Sequence, residues 1–181
     1  MELLETEFEG LIVIRPNLYS DERGTFHESF NDIQYSHVLG KNIKFVQDNV
    51  STSKKNVIRG LHFQNPPHEQ IKLVQVLSGR VIDVVVDIRL KSKTFGQHFT
   101  IDLNGDDMTQ LLIPAGFAHG FCTISEKAVF AYKCSNFYNQ KSEGSLLWND
   151  NTLNIPWPIK NPIISEKDRN ASRFNNFKSA F

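Results

Sequence analysis

The sequence predicts an all-β fold, and three observations predict it. Short apolar or alternating runs recur along the chain with turn signals between them, the pattern of strands that bury one or both faces. One run, Val81 to Ile88, is almost continuously apolar, as a strand covered on both sides would be. Helical periodicity is confined to two short stretches. In order, the predicted strands are Gly10 to Ile14, Thr25 to Phe30, Lys44 to Gln47, Val57 to Leu61, Lys72 to Leu77, Val81 to Ile88, Gln97 to Asp102, Thr109 to Ile113, Gly120 to Thr123 and Ala128 to Cys134. The turn Leu77-Ser78-Gly79-Arg80 reads as a glycine-supplied hairpin between two of them. A strand period of two puts Gln70 and Lys72 on one face, Ile71 and Leu73 on the other. Arg59, His62 and Lys72 are therefore expected just before or within a hairpin, held rigidly. The helices are placed at Asn31 to Leu39, with Asn31 or Asp32 as the cap, and just after Ser165. The polar tail from Asn170 to Phe181, with spaced phenylalanines and no period, is expected to wrap the surface or fray.

At 181 residues the chain is most simply one domain, residues 1–181, with room for a substantial core and no repeat or linker. Twenty basic and twenty acidic residues cancel, which excludes the broad basic footprint of a nucleic-acid binder. Any bound anion is expected to be small and locally held. Cys122 and Cys134 lack metal-type spacing and read as buried free thiols in a reducing compartment. The start, MELLETEFEGLIVIRP, carries four glutamates before its only arginine and no long apolar stretch. It reads as neither signal peptide nor membrane span, so the cytoplasm is the default.

Pro114-Ala-Gly116-Phe-Ala-His119 resembles the second cupin motif, whose histidine points into a small barrel. The first cupin motif supplies two histidines and a glutamate to a metal, but the equivalent stretch here offers His68 and then Lys72 in the glutamate's place. A cationic ammonium repels a divalent metal, so the barrel is expected to work without one. Lys72 would then supply fixed positive charge for a developing oxyanion.

A longer series of strings carries a family resemblance: Asp21-x-Arg23-Gly24-x-Phe26-x-Glu28, Gln47-Asp48-Asn49, Arg59-Gly60-Leu61-His62-Phe63-Gln64, Gln70-x-Lys72-Leu73-Val74, Pro114-x-Gly116-Phe117-Ala118-His119-Gly120-Phe121, Tyr132-Lys133, Trp148-Asn149-Asp150, Trp157-Pro158 and Ser165-Glu166-Lys167-Asp168. Together, and in this order over nearly the whole chain, they resemble the dTDP-4-dehydrorhamnose 3,5-epimerases. The resemblance implies a cupin-type jelly-roll homodimer with exchanged N-terminal strands. It implies action on a dTDP-linked 4-keto-6-deoxy sugar without metal or redox cofactor, a step towards cell-surface polysaccharide.

Inverting carbons 3 and 5 beside a 4-keto group needs a base, a group to hold the enolate and an acid on the opposite face. An imidazole, ordinarily titrating near 6.5, suits His62 as base. By resemblance Asp168 orients it, fixing its tautomer and raising its basicity. Lys72 stabilises the enolate oxygen, with His119 assisting or binding a sugar hydroxyl, and Tyr132 is the opposing proton donor. Arg23 and Arg59 are the expected diphosphate clamps, since guanidinium matches that geometry; taken alone, either reads as a surface salt-bridge residue. Phe26 and Tyr138 are candidates for stacking on thymine, and Glu28, Gln47 and Asn49 for polar contacts. Arg23, Phe26 and Glu28 are expected to complete a partner's site.

The stretch Tyr138-Asn139-Gln140-Lys141-Ser142-Glu143 departs from the family, lacking its proline and an arginine near Glu143, which bears on Tyr138 and Glu143 as binding residues. Glu69, where a small residue is common, is expected to face solvent. Three alternatives remain open: epimerisation at carbon 3 only, a 3,4-ketoisomerase on the same scaffold, and a non-catalytic cupin that binds a nucleotide sugar.

Overall fold

A computed structural model of the chain describes residues 1–39 and 43–181. Two antiparallel sheets face one another. The larger runs, from edge to edge, β1 (Glu2–Glu5), β2 (Ile12–Arg15), β10 (Gln110–Ile113), β7 (Lys72–Ser78), β12 (Lys127–Cys134) and β5 (Gln47–Lys54). The smaller runs β13 (Glu143–Ser145), β6 (Ile58–Gln64), β11 (Phe117–Thr123), β8 (Arg80–Asp87) and β9 (His98–Asn104). A two-stranded ribbon, β3 (Tyr19–Asp21) and β4 (Gly24–Phe26), stands outside both. This is the expected all-β, cupin-type jelly roll.

Strand alternation builds the core. The inward positions of β7, β10, β11 and β12 carry Val74, Val76, Leu111, Phe117, Phe121 and Phe130, which pack into one apolar cluster between the sheets. The other face of the smaller sheet presents Leu61, Phe63, Val84 and Val86, and the C-terminal segment lays Phe174, Phe177 and Phe181 over it. Strand β8 is therefore buried on both faces, which explains its unbroken apolar run. The tail wraps rather than frays, and its last carbonyl accepts from Leu90 N–H at 3.1 Å.

Several expectations need correction. The turn at Gly79 (φ +83°) joins β7 to β8, but these strands lie in different sheets, so it is a crossover and not a hairpin. Beside it β7 pairs with β10 and β12, while β8 pairs with β9 and β11. Residues 44–46 are irregular, and the strand is Gln47–Lys54 instead. Its polar side chains hid it from a search for apolar alternation. The run Thr25 to Phe30 is strand only to Phe26, because the chain then turns towards helix α1 (Asp32–Leu39), where Asn31 Oδ1 caps Gln34 N–H at 3.1 Å. The short strands β1, β3 and β13 were not predicted. Glu69 does not face solvent freely. Gln70 Nε2 donates to the Asn136 carbonyl at 2.8 Å and His68 bonds the Ser142 hydroxyl at 2.9 Å. These bonds fold the 65–70 segment onto the 136–142 loop, and Oε2 of Glu69 is enclosed there with no hydrogen-bond partner.

Candidate active site

Strand β5, at the edge of the larger sheet, and strand β6, between β13 and β11 in the smaller one, frame a cleft of about 530 Å³. Strand alternation aims a different chemistry at it from each side. From the smaller sheet come His62 and His119, directly paired across β6 and β11. Glycine makes that pairing possible. The two backbones approach so closely that a Cβ on Gly60 would lie 2.5 Å from the Gly120 Cα, and Gly60 itself has φ +132°. From the larger sheet come Lys72 and Tyr132, and Arg59 lies at the rim.

Asp168 arrives from 106 residues away. A parallel bridge between Val57 and Ile163 pins the incoming chain beside β6. Ser165 then caps the short helix α2 (Glu166–Arg169), its Oγ accepting from Asp168 N–H at 3.1 Å. The cap turns the carboxylate inward: Asp168 Oδ1 lies 2.5 Å from His62 Nε2, and Oδ2 accepts from Gly60 N–H at 3.4 Å. Burial pushes this carboxyl up, but the hydrogen bonds and charge of His62 and the backbone donors outweigh it. The net effect holds it below the usual carboxylate range. His62 Nδ1 makes no hydrogen bond among the described residues, so the dyad leaves one imidazole nitrogen for a ligand.

Burial pulls Lys72 below the ordinary lysine value, while Cys134, Asp83 and Glu143 pull it back up. Its protonation therefore reflects the balance between burial and these neighbours. Burial likewise raises Tyr132 above the ordinary phenol value, with Cys134 adding to the effect, which keeps its proton in place at neutral pH.

The cleft continues into a smaller pocket that shares His62, Lys72 and Tyr132 and is closed by Gln47, Asn49, Tyr138 and Glu143. These four are linked. Gln47 Nε2 donates to Asn49 Oδ1 at 3.1 Å and Gln47 Oε1 accepts from Tyr138 N–H at 2.9 Å. Tyr138 Oη donates to Glu143 Oε2 at 3.2 Å. The departure from the family pattern at 139–142 therefore does not remove Tyr138 or Glu143 from the pocket's wall.

Three predicted residues are not brought to the cleft by their own chain. Arg23 and Phe26 sit on the exposed β3–β4 ribbon, and Glu28 just beyond it bonds Asn31 instead. His68 lies outside the cleft as well.

Sequence reasoning missed four neighbours. Asp83, fully buried on β8, holds His119 Nε2 at 2.8 Å, making a second His–Asp pair. An acid inside the apolar V-I-D-V-V-V run was the available signal. Lys167 lines the cleft and pairs with Glu143 at 2.5 Å. Ser51 lines the cleft from β5, and Cys134 lines the smaller pocket. Both cysteines are free and buried, and burial raises Cys122 to about 11. No three acidic, thiol or imidazole side chains among the described residues come together in a way that could hold a metal.

A family model described as dTDP-4-dehydrorhamnose 3,5-epimerase matches residues 5–176. The chain belongs to that family. The Shigella flexneri dTDP-4-dehydrorhamnose 3,5-epimerase is 46% identical over 174 residues, covering 96% of each chain. A crystal structure of the Legionella pneumophila dTDP-6-deoxy-D-glucose-3,5-epimerase in complex with dTDP-4-keto-L-rhamnose superposes with TM-score 0.93 at 46% identity, covering 98% of this chain and 94% of that one. The family's fold also carries a related activity: a 3'-monoepimerase from Streptomyces bikiniensis in complex with dTDP-quinovose superposes with TM-score 0.88 at 31% identity, over 93% and 85% of the two chains.

Proposed function

We infer that the protein is an isomerase that inverts carbons 3 and 5 of dTDP-4-dehydro-6-deoxy-D-glucose to give dTDP-4-dehydro-L-rhamnose. One observation carries the reading: an imidazole oriented by a carboxylate and a half-buried phenol come from opposite sheets into one cleft, which the Lys72 amine also lines. His62 takes the proton from the carbon beside the ketone, and electrons flow onto the carbonyl oxygen. Asp168 stabilises the imidazolium that forms. Lys72 and His119 donate to the enolate oxygen, which the ketone's own oxygen becomes. Tyr132 returns a proton from the other face, inverting the centre, and the same set serves carbon 5 once the ring presents it. The chemistry needs only proton transfer, since each electron pair returns to the carbon it left.

Substrate contacts extend this proposal. Arg59 meets the diphosphate, while Gln47, Asn49, Tyr138 and Glu143 line the pocket that receives the remainder of the nucleotide sugar. The β3–β4 ribbon exposes Phe26 (67%) and Tyr19 (61%), apolar surface with no cover in one chain, and Val50 on the outer face of the large sheet is 65% exposed. A homodimer in which Arg23, Phe26 and Glu28 enter the neighbour's cleft accounts for both. The free thiols accord with a cytoplasmic setting. No helix among the described residues is long and apolar enough to cross a membrane.

Proton NMR in deuterium oxide with dTDP-4-dehydro-6-deoxy-D-glucose tests the reading. Loss of the signals at carbons 3 and 5 with formation of the L-rhamno product is expected. Exchange at carbon 3 alone would establish the second reading, a C3-epimerase, the activity named for the monoepimerase that shares the fold at 31% identity. Exchange at neither would refute both.

A further inference from the structure

The inward positions of β5 are an uninterrupted polar series, Gln47, Asn49, Ser51 and Ser53, where the facing strands carry apolar residues. Gln47 and Asn49 serve the smaller pocket, which leaves two serines to explain. Ser53 is 3% exposed, and its hydroxyl accepts from Arg59 Nε at 3.0 Å. A second bond runs from Arg59 Nη2 to the Thr52 carbonyl at 3.4 Å. Arg59 has no carboxylate partner among the described residues. Its guanidinium is thus held at the cleft's rim by neutral acceptors, with its charge unspent. Ser51, one step along the same face, lines the cleft, and its Oγ is buried with no hydrogen-bond partner. A hydroxyl left so is costly, and one rotation about χ1 turns it towards the cleft that the serine already borders.

We propose that the two serines belong to the diphosphate subsite: Ser53 is a positioning residue that fixes the Arg59 guanidinium, and Ser51 donates a neutral hydrogen bond to the same diphosphate. A guanidinium on a long side chain loses rotamer freedom when it binds, and an acceptor on Nε removes that loss in advance while leaving the terminal nitrogens for the anion. Lys167, which also lines the cleft, is partly neutralised by Glu143, so the hydroxyl adds a neutral donor beside the Arg59 guanidinium. The inference rests on the dTDP-sugar reading.

Calorimetric titration with dTDP and with thymidine, which lacks the diphosphate, tests it. Ser51→Ala and Ser53→Ala are each expected to weaken dTDP about fivefold or more and to leave thymidine binding unchanged. In turnover both raise KM with kcat retained, because the diphosphate is bound alike in ground and transition states. Ser51→Ala deletes an unpartnered buried hydroxyl, so its melting temperature without ligand stays level or rises, which a purely structural serine would not do. If both variants bind dTDP as the parent does, or if thymidine weakens equally, the proposal is overturned. A parent protein that binds no dTDP would instead overturn the functional reading on which it rests.

Discussion

Replacing Asp168 by asparagine tests the dyad with little change of shape. The carboxylate is 4% exposed, lies 2.5 Å from His62 Nε2 through Oδ1, and accepts the Gly60 N–H through Oδ2. That second bond decides how the amide sits. Its oxygen must take the Oδ2 position to satisfy Gly60, so its NH2 takes the Oδ1 position and donates to His62 Nε2. Nε2 then becomes the acceptor, the imidazole proton moves to Nδ1, and the nitrogen left for the substrate has no lone pair to act as base. A histidine locked in the wrong tautomer by this same exchange costs on the order of 10⁴ in kcat in a serine protease, about 5.5 kcal/mol of barrier. We expect a fall of that size here, with KM within about threefold, because the carboxylate lies beneath the imidazole rather than against the ligand. Asp168→Ala removes the orienting bond without imposing the wrong tautomer, so it should be no worse than asparagine. The assay is the rate of proton loss at carbon 3 in deuterium oxide, on protein shown to be folded by circular dichroism. An asparagine variant within tenfold of the parent, or an alanine variant markedly slower than the asparagine one, would refute the tautomer argument.

Tyr132→Phe removes the acid but not the base, so hydrogen exchange at carbon 3 should persist while inversion falls about 10²–10⁴-fold; equal loss of both would remove the tyrosine from the donor role. Lys72→Met should abolish turnover while leaving the fold more stable near neutral pH. Burial sets the folded lysine below its ordinary 10.5, so the unfolded chain binds the extra proton and parent stability climbs with pH between the two values. The methionine variant lacks that climb, and its persistence in denaturant titrations across alkaline pH would show the amine is not desolvated. Asp168 and Asp87 are each held below the usual carboxylate range, since burial raises both but hydrogen bonds, from His62 and from Arg89, Ser92 and Thr94, outweigh it. Their stabilisation is present above about pH 4 and lost as pH falls through the lowered values, so Asp87→Asn should flatten the acid limb of the unfolding curve. Arg23→Ala and His62→Ala, each inactive alone, should regain up to roughly a quarter of parent activity when co-refolded, because half the resulting dimers carry one intact composite site. No recovery in mixed dimers would place Arg23 outside the partner's cleft.

What the sequence reveals about this fold, and what it hides, follows from what each strand faces. Strands β7, β8, β11 and β12 were legible because their inward residues are apolar and the core imposes a period of two. The turn at Gly79 was legible as a turn, but nothing local says whether the next strand rejoins the same sheet. The dyad could not be read from spacing, since His62 and Asp168 lie 106 residues apart and only resemblance paired them. Asp83 and β5 failed for a more instructive reason. Both lie where the barrel interior should be apolar, and both break the pattern: Asp83 to hold His119, and β5 to present Gln47, Asn49, Ser51 and Ser53 to the cleft. A period-based search discards such a strand as loop. Yet burying these groups without partners would cost the fold about 1–3 kcal/mol apiece, so they persist only where a ligand or a paired side chain answers them. In this barrel, then, a polar inward series is itself a marker of the site: it separates the open, ligand-facing edge at β5 from the closed apolar end that Phe117, Val85 and Leu103 fill.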